Sequence, residues 1–166
     1  MSRRHVRLSK PLAERFPPSE SCTCAICTGY CARPGWWTVA EAGSAIRAGY
    51  AGRMMIEIPP DRSFCVLAPA FRGCEGLFAA QEFSQRGCTF FADGLCALHG
   101  TGLMPLECRF CHHERAGQGV ACHLALEHDW DTPAGQELVA LWQRITGFWK
   151  KPVNRRMRDA IRGAGG

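Results

Sequence analysis

The 166-residue sequence lacks an apolar run of signal-peptide length, and no stretch approaches the roughly 20 apolar residues that a membrane-spanning helix needs. Its first segment, Met1 to Phe16, is basic and carries Leu8, Leu12 and Phe16 only as isolated apolar positions. Export and membrane association are therefore not expected. The expected compartment is the cytoplasm, where thiols stay reduced. Internal repeats and low-complexity tracts are also missing, so repeat architectures drop out. Long apolar-periodic segments are few. A chain of this length can bury a core, but this one should be loop-rich and draw part of its stability from cross-links or metal.

What the sequence has in excess is cysteine, 11 residues, together with 18 Gly and 10 Pro. An odd count fits poorly with a complete disulfide framework, and a reducing compartment argues against one. Metal ligation is the better reading. The net charge of +5 is unevenly placed. Residues 11–149 hold 10 basic and 14 acidic side chains, so the positive charge sits in the two ends. Solvated termini explain this better than a nucleic-acid surface, because no basic stripe with interleaved aromatics lies between the cysteine clusters. Nucleic acid and membrane are not expected as partners; an unidentified protein or redox partner is.

Local signals place several elements. Pro17-Pro18 ends any first helix and opens a cysteine-dense loop from Cys22 to Cys31. Thr38 with Glu41 forms a capping box and predicts a helix from about Val39 to Ala48, ended by Gly49 or Gly52. Met54–Ile58 reads as a short strand stopped by Pro59-Pro60, and Phe64–Leu67 as a second. Asp93-Gly94 between Phe91 and Leu95 signals a hairpin turn that draws Cys88 and Cys96 together. Thr132 and Pro133 start a helix whose apolar stripe reads Leu138, Leu141, Trp142, Ile145 and Trp149. The prediction is an α+β fold: a small, loop-rich, metal-stabilised single domain with short strands, a hairpin and a C-terminal helix. Its boundaries are a basic segment 1–16, a cysteine-rich domain 17–149 and a basic tail 150–166.

The first cysteine cluster is Cys22-x-Cys24-x2-Cys27-x3-Cys31. Such spacing suits a metal because a tight turn aims two thiolates at one ion with little chain entropy left to lose. It fits neither bacterial ferredoxin, which needs two residues where Cys22 and Cys24 have one, nor radical-SAM spacing, where the wider gap comes first. The second cluster is Cys88-x7-Cys96-x11-Cys108-x2-Cys111, then Cys122 with His123. Cys108, Cys111, Cys122 and His123 or His128 would make a zinc site. Neighbouring His112 and His113 cannot easily face one ion together, so at least one is a surface or hydrogen-bonding residue. Cys65 and Cys74 stand apart among Phe64, Leu67 and Phe71 and read as buried thiols.

The run from Gly87 through Cys88, Phe90, Phe91, Asp93, Gly94 and Cys96 to His99, followed by Pro105-Leu106-Glu107-Cys108-Arg109-Phe110, resembles the bacterial CxxCxxCC family of zinc- or iron-chelating domains. The order of an N-terminal cysteine cluster, a Cys-turn-Cys hairpin and a Pro-x2-Cys-Arg element is the same, over roughly residues 22 to 113. The resemblance implies that Cys24, Cys27, Cys31, Cys88, Cys96 and Cys108 take metal-ligand positions. The family's adjacent Cys-Cys is absent, Met104 stands where an Arg is usual, and Cys111-His112-His113 and Cys122-His123 lie outside the pattern. Some members sit within flagellin lysine methylases, but no Gly-rich loop follows a strand here to cradle a methyl-donor nucleotide.

The leading expectation is a metal-binding protein in which thiolates from both halves of the chain form one or two sites. Zinc is the first cofactor expected; iron or an iron–sulfur cluster is the alternative, and would make the protein an electron carrier or redox sensor. A different class is a metal-dependent enzyme with an open site near Cys108 and Cys111, for which Glu107 and Glu114 are the candidate bases.

Overall fold

A computed structural model describes residues 10–60 and 63–164. The architecture is α+β: two small antiparallel strand pairs among seven α-helices and several single helical turns. A short helix α1 (Leu12–Arg15) precedes α2 (Ala25–Ala32), so much of the predicted cysteine loop is helical. Cys24 caps α2, its sulfur accepting the Cys27 backbone N–H. Helix α3 (Val39–Ala45) begins on the expected capping box of Thr38 and Glu41. It then loosens into a π turn (Ile46–Tyr50), three residues before the predicted end, and Gly49 turns the chain out at φ 96°.

Strand β1 (Met54–Glu57) pairs antiparallel with β2 (Val66–Pro69), Met54 opposite Pro69 and Glu57 opposite Val66. The second strand thus sits about two residues later than predicted; Phe64 and Cys65 lead into it. Ile56 also exchanges backbone bonds with the Leu77–Ala79 segment, which is why β1 is covered on both sides and reads as an unbroken apolar run. The second pair, β3 (Phe91–Ala92) and β4 (Leu95–Cys96), closes on Asp93 and Gly94 at φ 53° and 75°, the two left-handed positions of a tight hairpin turn.

Helix α4 (Leu106–Phe110) leads to a 3-10 turn at His113–Arg115, then α5 (Gly119–Trp130) and α6 (Pro133–Ile145). Thr132 caps α6 and Pro133 is its first residue, as predicted. The buried line along α6 differs from the prediction: Gly135, Val139 and Trp142 face inward, while Leu141 and Ile145 are exposed. The cause is the tight α5–α6 corner. A Cβ on Gly135 would lie 2.4 Å from the Trp130 carbonyl oxygen, so glycine must face α5 there and sets the rotation of the helix. Trp149 lies beyond α6 in a 3-10 turn (Phe148–Lys150), edge-on to Phe148 and half-buried. The basic tail folds as α7 (Pro152–Gly163).

The core is built on Trp37, Trp130, Trp142, Phe148, Met54, Met55 and Leu126. The indole N–H of each of these three tryptophans meets a carbonyl: Trp37 donates to Leu103 at 2.7 Å, Trp130 to Trp37 and Trp142 to Ala51, both at 2.8 Å. Burying these rings therefore costs no unpaired donor.

Candidate metal centre

The segment ahead of α2 is laced onto the end of α4. Ser19 gives both its N–H and its hydroxyl to the Arg109 carbonyl, each at 2.8 Å, and Arg115 donates to the Pro17 carbonyl. Phe16 meets the Phe110 ring edge-on at 5.3 Å. This lacing carries Cys22, Cys24 and Cys27 to the turn that begins at His113.

There the three thiols and His113 converge. Nδ1 of His113 lies 3.5 Å from the sulfurs of Cys22 and Cys24 and 3.4 Å from that of Cys27. All four ligand atoms lie within 4.8 Å of one another, the one such group among the described residues. For Zn–S of about 2.3 Å and Zn–N of about 2.05 Å, the S···N edge of a tetrahedral site is about 3.5 Å. The three measured edges match that value. Single-ion geometry is present in this Cys3His set; the identity of the metal is not fixed by it.

The surroundings suit metal-bound thiolates. The His113 backbone N–H donates to the Cys27 sulfur at 3.4 Å, and the exposed carboxylate of Glu114 stands 4.0 Å from Nε2 of His113, beyond hydrogen-bond reach. The Cys24 thiol is drawn down to about 7, chiefly by the Cys27 N–H at the start of α2, with the neighbouring thiols Cys22 and Cys27 adding to it. The Cys27 thiol is pushed up to about 11 by burial. Cys24 thus ionises more readily than Cys27, and ligation would supply the proton loss that Cys27 resists.

His113 was not among the ligands expected from sequence. Its neighbour resolves the ambiguity: His112 is buried, and its Nδ1 accepts the Glu114 N–H at 3.1 Å as the cap of the His113 turn. One histidine of the pair builds the turn and the other points from it.

The remaining candidates fall elsewhere. His123 donates from Nδ1 to the Glu107 carboxylate at 3.0 Å, approaches Glu127 at 3.7 Å and stacks on Trp36 with ring centroids 4.1 Å apart. Its charged form is favoured, first by the bond to Glu107, so in this structure it is a carboxylate partner. Cys108 and Cys111 line, with Glu57, Glu107, Trp36 and His123, a cavity of about 290 Å³. Cys122 is buried in α5, and its thiol is pushed up to about 12 by burial. Cys74 is buried and Cys65 is half-buried beside Gln136, which bonds its N–H and carbonyl at 3.0 Å. Cys31, Cys88 and Cys96 stand apart from the Cys3His set.

No family model, curated protein or solved structure matches the chain. Among the described residues no helix is long and apolar enough to cross a membrane.

Proposed function

We propose that this protein is a zinc-binding module in which Cys22, Cys24, Cys27 and His113 hold one structural zinc ion. The observation that carries the reading is the set of three S···N separations of 3.4–3.5 Å, the edge length of a tetrahedral zinc site. Four protein ligands leave no open position, which is the pattern of a structural site. An iron–sulfur cluster would need these groups further apart, because iron and sulfide intervene between them. The motif order that resembles the CxxCxxCC family supports metal binding at Cys24 and Cys27, two of the positions it implies; Cys22 and His113 lie outside that set.

What the ion would do is staple the arm and α2 to the α4–α5 turn, 86 to 91 residues away in sequence. The stapled arm then forms part of a surface offered to a protein partner in the cytoplasm. His113→Ala should lower zinc affinity more than about 100-fold, since even outer-shell changes cost 10- to 100-fold. Competition with a chromogenic chelator reads this directly, and unchanged affinity in the variant would sink the assignment.

One observation favours a second reading, an enzyme. The cavity beside Cys108 brings the Glu107–His123 pair and Glu57 around a space that a small substrate could enter. Turnover lost in Glu107→Gln, with zinc content unchanged, is what that reading requires.

A further inference from the structure

The cavity of about 290 Å³ beside Cys108 lies apart from the Cys3His set, none of whose residues lines it. Its walls come from the end of α2, the link from Arg33 to Trp36, the last residue of β1, Phe71, α4 and α5. The link is fastened at two points. Ala32 accepts the Cys88 N–H at 3.0 Å, and Trp36 accepts that of Glu107 at 3.3 Å. Between them, a Cβ on Gly35 would stand 2.7 Å from the Cys108 sulfur, so the link passes α4 as closely as only glycine allows. The space is therefore framed by backbone held in place. Trp36 and Phe71 are buried and form its floor, while Tyr30, Arg33 and Gln81 are exposed and form its rim. Its volume is at the low end for ligand pockets, which start at about 300 Å³, and suits a small metabolite.

Four charged side chains line this space: Arg33, Glu57, Glu107 and His123. Glu107 and His123 neutralise each other at 3.0 Å. Arg33 and Glu57 enter no ion pair among the described residues. Burial raises the Glu57 carboxyl, and its largest offset is the neutral Trp36 indole, ahead of either His123 or Arg33. A carboxylate so placed gains from a ligand that brings a cation. The Arg33 fork, at the rim, suits a ligand carboxylate. An amine would match Glu57 and leave Arg33 unmatched, and a carboxylic acid would do the reverse. A small zwitterion matches both, and an apolar side chain matches the floor.

We infer that this cavity binds an α-amino acid, its ammonium on Glu57, its carboxylate on Arg33 and an apolar side chain against Trp36 and Phe71. The inference rests on the same cavity as the enzyme reading but needs no turnover, and the zinc ligands stand outside it.

The test uses the purified full chain with the standard L-amino acids as probes, screened by thermal shift and measured by calorimetry. At least one amino acid with an apolar side chain should bind. The amine and the carboxylic acid that carry the same side chain should each bind at least about tenfold more weakly, the loss of one charge-assisted hydrogen bond. Arg33→Ala, a change at an exposed position, should weaken the amino acid by as much and spare the amine. Glu57→Gln should weaken the amino acid and the amine and spare the carboxylic acid. No amino acid bound, an amine bound as tightly as its amino acid, or full affinity in both variants would overturn the inference. Should Glu57→Gln not fold, Arg33→Ala decides alone: a weakened amino acid with the amine spared supports the site, and equal affinity refutes it. Binding with no product detected by mass spectrometry supports the site and counts against the enzyme reading alone.

Discussion

Glu41 gives the sharpest test of how the fold holds the metal centre in place. Its carboxylate caps α3 by accepting the Thr38 N–H at 3.0 Å. The same oxygen accepts the Leu106 N–H at 3.1 Å, one of the orphan donors of α4, which has no side-chain cap of its own. The other oxygen pairs with Arg109 at 2.6 Å. With side-chain exposures of 22% and 25%, this ion pair is partly screened, so each of the three bonds sits near the low end of the charge-assisted range, about 1 kcal/mol. Glu41→Ala should therefore cost about 3 kcal/mol, which for a domain of this size lowers the melting temperature by roughly 6–12 °C. Glu41→Gln keeps an acceptor for the backbone donors and loses the charge, so about half that loss is expected. The assay is urea unfolding of the zinc-loaded protein, followed by tryptophan fluorescence. A loss below about 0.5 kcal/mol in Glu41→Ala would refute the claim that one carboxylate fastens both helices.

Gly135→Ala should destabilise by more than about 2 kcal/mol, because the added methyl meets a backbone carbonyl that cannot rotate away; a stable variant in the same unfolding assay would refute that account of the α5–α6 corner. Burial holds the Glu57 carboxyl up at about 7 against an ordinary 4.5, with Glu107 adding to the shift. The folded state then binds the extra proton, so stability falls as pH rises from about 4.5 through 7. Glu57→Gln should gain up to about 3 kcal/mol at pH 8 and almost nothing at pH 4.5, and a gain independent of pH would contradict the shift.

The elements legible in the sequence were those that local chemistry dictates. Thr38 with Glu41, Asp93 with Gly94, and Thr132 with Pro133 each state a cap or a turn within four residues, and all three form as read. The α6 stripe was misread at Leu141 and Ile145 because periodicity finds an apolar face without saying which edge of it a neighbouring carbonyl will claim. Cys22, Cys24 and Cys27 announced themselves by spacing. The histidine beside them did not, since nothing local separates His113 from His112; only the turn capped by one of them brings the other to the three thiols.

Asn154 in α7 is fully buried and gives its amide to the carbonyls of Gly76 and Phe148, at 3.2 and 2.8 Å, while Lys151 reaches the same Gly76 oxygen at 3.1 Å. Charge alone would have marked residues 150–164 as dispensable. Trimming the chain at Trp149 would instead strip the lid from Phe148 and leave the carbonyls of Gly76 and Phe148 without these donors beside the strand pair. An expression design that keeps the last helix and places any tag beyond it retains the fold, whereas a protease that nicks before Lys151 would act as an unfolding agent.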